Sequence, residues 1–82
     1  MEYLRIEWES DTRYYLLEVS KDMFGYWVIK RLWSSKYAKS GQSRITSSTV
    51  IEEIEKMVND ISKRRRQRGY QIIEKCIVTD EI

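Results

Sequence analysis

The sequence predicts an α+β domain in which a three- or four-stranded antiparallel sheet is packed on one face by a single long α-helix. Three strand-like segments come first and are joined by short turns, which is typical of an antiparallel meander. One amphipathic helical pattern follows them. The 82-residue chain is long enough for a single domain over residues 1–82 and too short for two.

The first two strands are predicted by alternation of apolar and polar side chains. The segment YLRIEW (residues 3–8) places its apolar residues at every second position up to Trp8. After the turn-forming ESDTR, the segment YYLLEVS (residues 14–20) places Tyr15, Leu17 and Val19 on one face. A period of two indicates strands with one buried face.

The third strand is predicted over YWVIKRLW (residues 26–33), directly after Gly25. It is apolar on both faces at its start and basic toward its end. A strand between two neighbours, covered on one side by a helix, has this composition. The segment QSRITSS (residues 42–48) is a short fourth-strand candidate.

The helix has signals at both ends. Thr49 and Glu52 have the spacing of a capping box, which predicts Thr49 as the N-cap. Gly69 suits the C′ position, and Tyr70 is placed to fold back on the last turn. The buried face is predicted to comprise Val50, Ile51, Ile54, Met57, Val58 and Ile61. The final YQIIEKCIVTD has no clear period and is read as an extended segment at most.

Composition excludes several function classes. The chain has no histidine and one cysteine, so it offers neither an internal disulfide nor the usual zinc ligands. It has no apolar window long enough to span a membrane, and MEYLRIEW lacks the order of a signal peptide. We expect a cytoplasmic protein with no membrane contact, no metal and no cofactor.

Catalysis is not expected from the nucleophiles and carboxylates present. Cys76 lies in the apolar CIV and reads as a small hydrophobe, because no histidine is available to activate it. Glu52, Glu53 and Glu55 are either an acid/base group or a solvated helix start, and the helix dipole favours the second interpretation. The loop YAKSGQSR lacks the spacing of a phosphate-binding loop.

Charge is segregated along the chain although the net charge is only +2. Residues 23–51 and residues 61–73 each contain five bases and no acid. This distribution predicts one basic face, which is the electrostatic footprint of a polyanion binder. The ten bases are Lys30, Arg31, Lys36, Lys39, Arg44, Lys63, Arg64, Arg65, Arg66 and Arg68.

Two features within the basic segments have alternative interpretations. The run KRRRQR is either a solvated helix end favoured by the dipole or a row of guanidiniums for phosphates, since Arg64, Arg65 and Arg68 continue the apolar stripe. Trp33 is either the last core residue of the third strand or an exposed ring on which a base or sugar stacks.

The order of these features resembles the WGR domain family over roughly residues 3–70. Members typically have a paired-tyrosine strand like YYLLEV and a glycine-aromatic strand like GYWVIKR. That strand ends in Trp-Gly-Arg, a Gly-Gln loop like SGQS follows, and a helix ends in Gly-Tyr, as at Gly69 and Tyr70. Here Ser34 and Ser35 replace the motif glycine and arginine, and the loop is about one residue longer.

The resemblance implies a function as well as a fold. In poly(ADP-ribose) polymerases this domain binds DNA near a strand end, and small standalone bacterial members are presumed nucleic-acid binders. By this resemblance Trp33 would stack, and Arg31, Lys36, Lys39 and Arg44 would contact phosphates.

The expected function is therefore non-catalytic nucleic-acid binding, to DNA at strand ends or breaks. The alternative is a protein-interaction or regulatory module that uses the same basic and aromatic face. We expect a monomer or a weak homodimer that buries a spare sheet face. The candidate site comprises Arg31, Trp33, Lys36, Lys39, Gln42, Arg44, Arg64, Arg65 and Arg68.

Overall fold

The computed structural model describes residues 2–37 and 41–79 and contains five strands and one helix. Its sheet is antiparallel throughout, with strand order β4-β3-β2-β1-β5. The elements in chain order are β1 (Glu2–Glu9), β2 (Arg13–Lys21), β3 (Trp27–Ser35), β4 (Gln42–Ser48), α1 (Ile51–Gln67) and β5 (Gln71–Thr79).

The α+β class and the β1–β4 meander are confirmed, but the predicted count of three or four strands is wrong. The C-terminal segment is a full fifth strand that pairs with β1 at the edge opposite β4. Its register shifts where Glu7 pairs with Glu74 and Trp8 pairs with Ile72, which leaves Ile73 as an extra residue. This bulge breaks the alternation, and the segment therefore has no clear period in the sequence.

The start of α1 differs from the predicted capping box. Val50 is the N-cap residue and makes no side-chain capping bond, so the assignment of Thr49 is wrong. Ser48 supplies the local hydrogen bonds instead. Its Oγ accepts from the backbone N–H of Val50 at 3.1 Å and donates to Glu53 Oε2 at 2.7 Å. The polar residue that organises this turn thus lies at the end of β4, one position before Thr49.

The predicted C-terminal end of α1 is confirmed. Gly69 has a φ of +83°, which an L residue with a side chain adopts at a cost of about 1–2 kcal/mol. The backbone N–H of Gly69 donates to the Arg66 carbonyl at 3.1 Å, and that of Tyr70 donates to the Arg65 carbonyl at 2.9 Å. This pair of bonds is a Schellman motif. It turns the chain sharply and brings Tyr70 back over the last turn.

The core lies between α1 and one face of the sheet. Strands β1 and β2 bury alternate residues against the helix, as their alternation predicts, and β3 contributes Ile29. Ile54 and Ile61, two turns apart, are the buried residues of α1. The buried set is Ile6, Trp8, Tyr15, Leu17, Val19, Ile29, Ile54 and Ile61. No helix within residues 2–37 and 41–79 is long and apolar enough to cross a membrane.

The opposite face of the sheet carries a polar network. Glu7 accepts hydrogen bonds from Tyr14 Oη and from Arg5 Nη2, both at 2.7 Å. The bond from Tyr14, followed by that from Arg5, lowers the pKa of the Glu7 carboxyl below its usual range. The charged form of Glu7 is therefore the one that the fold stabilises.

This network predicts an acid-dependent contribution to stability. Because the folded-state pKa of Glu7 is depressed, its contribution is complete above the unfolded pKa of about 4.3. The contribution is lost as the pH falls through the folded value. We expect Glu7→Gln to lower the urea midpoint at pH 7 and to have a much smaller effect at pH 3. An equal decrease at both pH values would show that the ionised carboxylate does not stabilise the fold.

Candidate nucleic-acid interface

A row of aromatic rings crosses the helix-covered face of the sheet. Trp8, Tyr15 and Trp33 are direct cross-strand neighbours on β1, β2 and β3. The Tyr15 and Trp33 rings lie 5.9 Å apart at 13°, and Trp8 meets Tyr15 edge-on at the same separation. Trp8 and Tyr15 are buried, whereas Trp33 at the end of the row is half-buried. Trp33 thus packs on the core and is partly open to solvent.

Two arginines lie side by side on the same face. Arg31 of β3 is directly opposite Arg44 of β4, and its neighbour on the other side is the fully buried Leu17. Residues paired in this way have Cβ atoms about 4.5–5.5 Å apart, and like charges at this position repel. The sheet therefore holds two cations together at a place where a bound anion would relieve their repulsion.

A third arginine reaches this site from the helix. The Arg65 guanidinium carbon lies 4.3 Å from the centre of the Tyr15 ring and 5.0 Å from that of Tyr70. The two rings meet nearly edge to face, 6.3 Å apart. Cation–π contacts of this kind hold a guanidinium in place while its remaining N–H groups stay available. Arg65 is therefore fixed in position before any ligand binds.

These side chains line an open cleft between the C-terminal end of α1 and the sheet, with a volume of about 590 Å³. We name it the terminal cleft. Its described lining residues include five arginines and three aromatic rings but no acid. They are Ser10, Thr12, Arg13, Tyr15, Arg31, Trp33, Arg44, Arg65, Arg68 and Tyr70.

A second cleft of about 540 Å³ lies beside the first, along the flank of α1. We name it the lateral cleft. It shares Tyr15, Arg31 and Arg65 with the terminal cleft. Asp60 is the acid among its described lining residues. The remaining ones are Met57, Ile61, Lys63, Arg64 and Gln67.

The arginines of the terminal cleft have no acidic partner within the described part of the chain. The ion pairs among the described residues lie outside the terminal cleft. They join Arg5 to Glu7 at 2.7 Å and Lys36 to Glu9 at 3.1 Å. The Nε atoms of Arg31 and Arg65 are also shielded from solvent without an acceptor among residues 2–37 and 41–79. A concentration of cations without counter-charges is the electrostatic requirement for binding a polyanion.

The structure brings together most of the site residues predicted from the sequence. Arg31, Trp33, Arg44, Arg65 and Arg68 line the terminal cleft.

The other predicted residues lie outside this cleft. Arg64 lines only the lateral cleft. Lys36 is exposed after the end of β3 and pairs with Glu9 instead. Gln42 is exposed on β4, opposite Trp33, but it lines neither cleft. Lys39 lies outside the described residues.

Five lining residues of the terminal cleft are not among those predicted from the sequence: Ser10, Thr12, Arg13, Tyr15 and Tyr70. Arg13 begins β2 and had no basic neighbours to draw attention to it. Tyr15 belongs to the core stripe and therefore read as packing alone. Tyr70 was expected to fold back on the helix, which it does, but its contact with Arg65 was not foreseen. Gly69 is the sequence feature that indicates the position of Tyr70, because the Schellman turn at this glycine fixes where the next side chain points.

The junction between β3 and β4 depends on Gly41. A Cβ atom at this position would lie 2.7 Å from the Trp33 carbonyl oxygen and 2.9 Å from Ser34 Cβ. No side chain fits there without movement of the backbone. Gly41 therefore lets the chain enter β4 close against Trp33, which sets the register that pairs Arg44 with Arg31.

Comparison with known proteins finds no matching family model, no similar curated protein and no similar solved structure. Among the described residues, no three histidine, cysteine, aspartate or glutamate side chains group together as ligands for a metal ion.

Proposed function

We propose that this protein binds nucleic acid through the terminal cleft, without catalysing a reaction on it. The observation that carries the proposal is the pairing of Arg31 with Arg44 beside the fixed guanidinium of Arg65. Three cations converge on one site whose described lining has no acid. Arginine suits phosphate because its planar fork of N–H groups can donate two parallel hydrogen bonds.

The aromatic part of the cleft favours nucleic acid over a simple polyanion. Trp33 is half-buried, stacks on Tyr15 and lines the same cleft as the arginines. A ring next to a cationic groove is the usual arrangement for stacking a base or sugar while phosphates bind the cations. An inorganic polyphosphate or an acidic protein segment would use the cations and leave the ring unused.

DNA, at strand ends or breaks, is the form of nucleic acid we propose. The support is the resemblance to the WGR family in the order of YYLLEV, GYWVIKR, Trp33 and Gly69-Tyr70. Arg31 and Arg44 support it at the level of charge, because the resemblance assigns both of them to phosphates and they line the terminal cleft.

The number of cleft arginines predicts how binding depends on salt. If Arg13, Arg31, Arg44, Arg65 and Arg68 each neutralise one phosphate, log Kobs falls with log salt at a slope of about −4.5 for duplex DNA. The slope for a single strand is about −3.5.

The test is a gel-shift series on blunt, nicked, single-stranded and circular DNA at several salt concentrations. We expect DNA with ends to bind more tightly than closed circles. No binding to any of these probes at about 50 mM salt would refute the proposed function.

A protein-interaction function is the alternative, and the turn between β2 and β3 favours it. Met23 and Phe24 are 90% and 79% exposed at its tip. The turn is well ordered, because Asp22 Oδ1 accepts from the backbone N–H groups of Phe24 and Tyr26, both at 2.9 Å. A rigid turn that presents two large apolar side chains is typical of a protein contact. Stoichiometric recovery of one partner after nuclease treatment, lost on Phe24→Ser, would support this alternative.

A further inference from the structure

We infer that the ligand is a single strand that runs through both clefts and occupies at least two nucleotide positions, with Arg65 between them. This inference rests on the proposed function and specifies the form of the nucleic acid. Its first basis is continuity, since Tyr15, Arg31 and Arg65 line both clefts. Each cleft alone falls in the range of about 300–1,000 Å³ that holds a small ligand.

The position of Arg65 divides the groove into two sites. Its guanidinium is held over Tyr15 and Tyr70 at the boundary of the two clefts. A cation fixed at this boundary suits the phosphate that links two successive nucleotides. Arg31 lies on the same boundary from the sheet side, so the linking phosphate would have a guanidinium from each wall.

The two clefts offer different surfaces for the flanking nucleotides. The terminal cleft provides the ring of Trp33. The lateral cleft provides apolar surface from the half-buried Met57, with Lys63 and Arg64 as its further bases. Both therefore combine a surface for a base or sugar with cations for phosphate, as in grooves that follow a single strand.

The location of these surfaces indicates whether the bound nucleotides are base-paired. The ring of Trp33 and the side chain of Met57 are inside a groove between α1 and the sheet. A base in the interior of a duplex is covered on both faces by its neighbours and cannot also stack on a side chain. Bases that have left the stack can do so. The groove therefore fits a strand that is unpaired over these positions.

Asp60 distinguishes a strand that reaches the lateral cleft from a ligand that occupies the terminal cleft alone. It is an exposed acid in the lateral cleft, beside the path proposed for the second nucleotide. Its carboxylate would repel a phosphate there and would have no effect on a ligand confined to the terminal cleft. Removing this charge should therefore affect longer ligands alone.

The experiment measures displacement of fluorescent decathymidylate by unlabelled thymidine monophosphate, di-, tetra- and octathymidylate, and an eight-base-pair blunt duplex. We expect affinity to rise steeply from the monophosphate to the tetranucleotide and to level off after it, with the duplex weaker than the octanucleotide. Asp60→Asn should tighten octathymidylate binding by about two- to fivefold and leave the monophosphate unchanged. Combined Lys63→Ala and Arg64→Ala should weaken the octanucleotide by about fivefold or more.

The outcomes separate this inference from the function on which it rests. If the duplex binds as tightly as the octanucleotide, and the lateral-cleft substitutions have no length-dependent effect, the single-strand path is wrong while nucleic-acid binding stands. If neither strands nor duplexes bind, both are wrong. Asp60, Lys63 and Arg64 are exposed, so these substitutions are expected to leave the fold intact.

Discussion

Replacing Arg65 with alanine is expected to weaken nucleic-acid binding by about tenfold to one-hundredfold, the cost of losing one well-placed hydrogen-bonded charge. Two properties distinguish Arg65 from the other arginines of KRRRQR. Its guanidinium is held over the rings of Tyr15 and Tyr70, and it lines both clefts. Little side-chain entropy is then lost when it binds a phosphate. Fluorescence anisotropy with labelled single-stranded DNA measures the effect.

Arg66→Ala is the matched control for this prediction. Arg66 is the next residue on the same helix, carries the same charge and is exposed, but lines neither the terminal nor the lateral cleft. Both variants change the net charge equally, so long-range attraction falls equally in both. Arg65→Lys adds a second comparison, because it keeps the charge and loses the planar group that stacks on the rings. Similar losses for Arg65→Ala and Arg66→Ala would mean that only total charge matters.

Replacing Trp33 with leucine is expected to weaken binding to single strands by about fivefold to one-hundredfold, the usual effect of losing one stacked base. Leucine retains apolar contact with Tyr15 and so limits damage to the core. The salt slope should stay unchanged, because no phosphate contact is removed. This combination of lower affinity and constant slope identifies a stacking residue.

Trp27→Leu is the control for the loss of an indole. Trp27 lies on the same strand and the same face, also packs against the core, and is about 20 Å from Trp33 at the rise of an extended strand. Trp27 lines a separate cavity, next to β1, β2 and the first half of α1. The lining of this cavity is mainly apolar and includes no arginine. Equal weakening by the two substitutions would assign the effect of Trp33→Leu to lost stability rather than to stacking.

The fold was predictable where a pattern was regular over several residues. Alternation in β1 and β2 and the helical stripe from Ile51 to Ile61 mark the buried faces correctly, but Val50, which was assigned to the same stripe, is exposed. The segment QSRITSS matches β4 residue for residue. The fifth strand was not predictable in the same way, because the bulge at Ile73 shifts its later side chains to the other face. The N-cap was missed because Ser48, a strand residue, supplies the hydrogen bonds that Thr49 was expected to make.

The positive charge of the candidate site was predictable from the sequence, but the set of residues that converge on it was predictable only in part. Two basic segments separated by the first half of the helix do converge, since the sheet places Arg31 and Arg44 near the end of α1. Which bases converge depends on pairing register and on the Schellman turn, and neither is visible in composition. Lys36, after the end of β3, pairs with Glu9, and Arg13 lines the terminal cleft although no neighbouring base marks it in the sequence.

The central claim is that the terminal cleft, rather than total positive charge, binds nucleic acid. The most direct test compares two triple variants that change the net charge equally. One is Arg31→Ala, Arg44→Ala and Arg65→Ala. The other is Lys56→Ala, Arg66→Ala and Lys75→Ala, at residues that line neither the terminal nor the lateral cleft. Urea denaturation establishes that both variants are folded before binding is measured.

Each triple variant lowers the net charge from +2 by the same three units. The account predicts that the cleft variant loses about one-hundredfold or more in affinity for single-stranded DNA, at the scale of several lost phosphate contacts. It predicts that the other variant stays within about threefold of the wild type, as for weakly coupled surface charges. Equal losses in the two folded variants would contradict it.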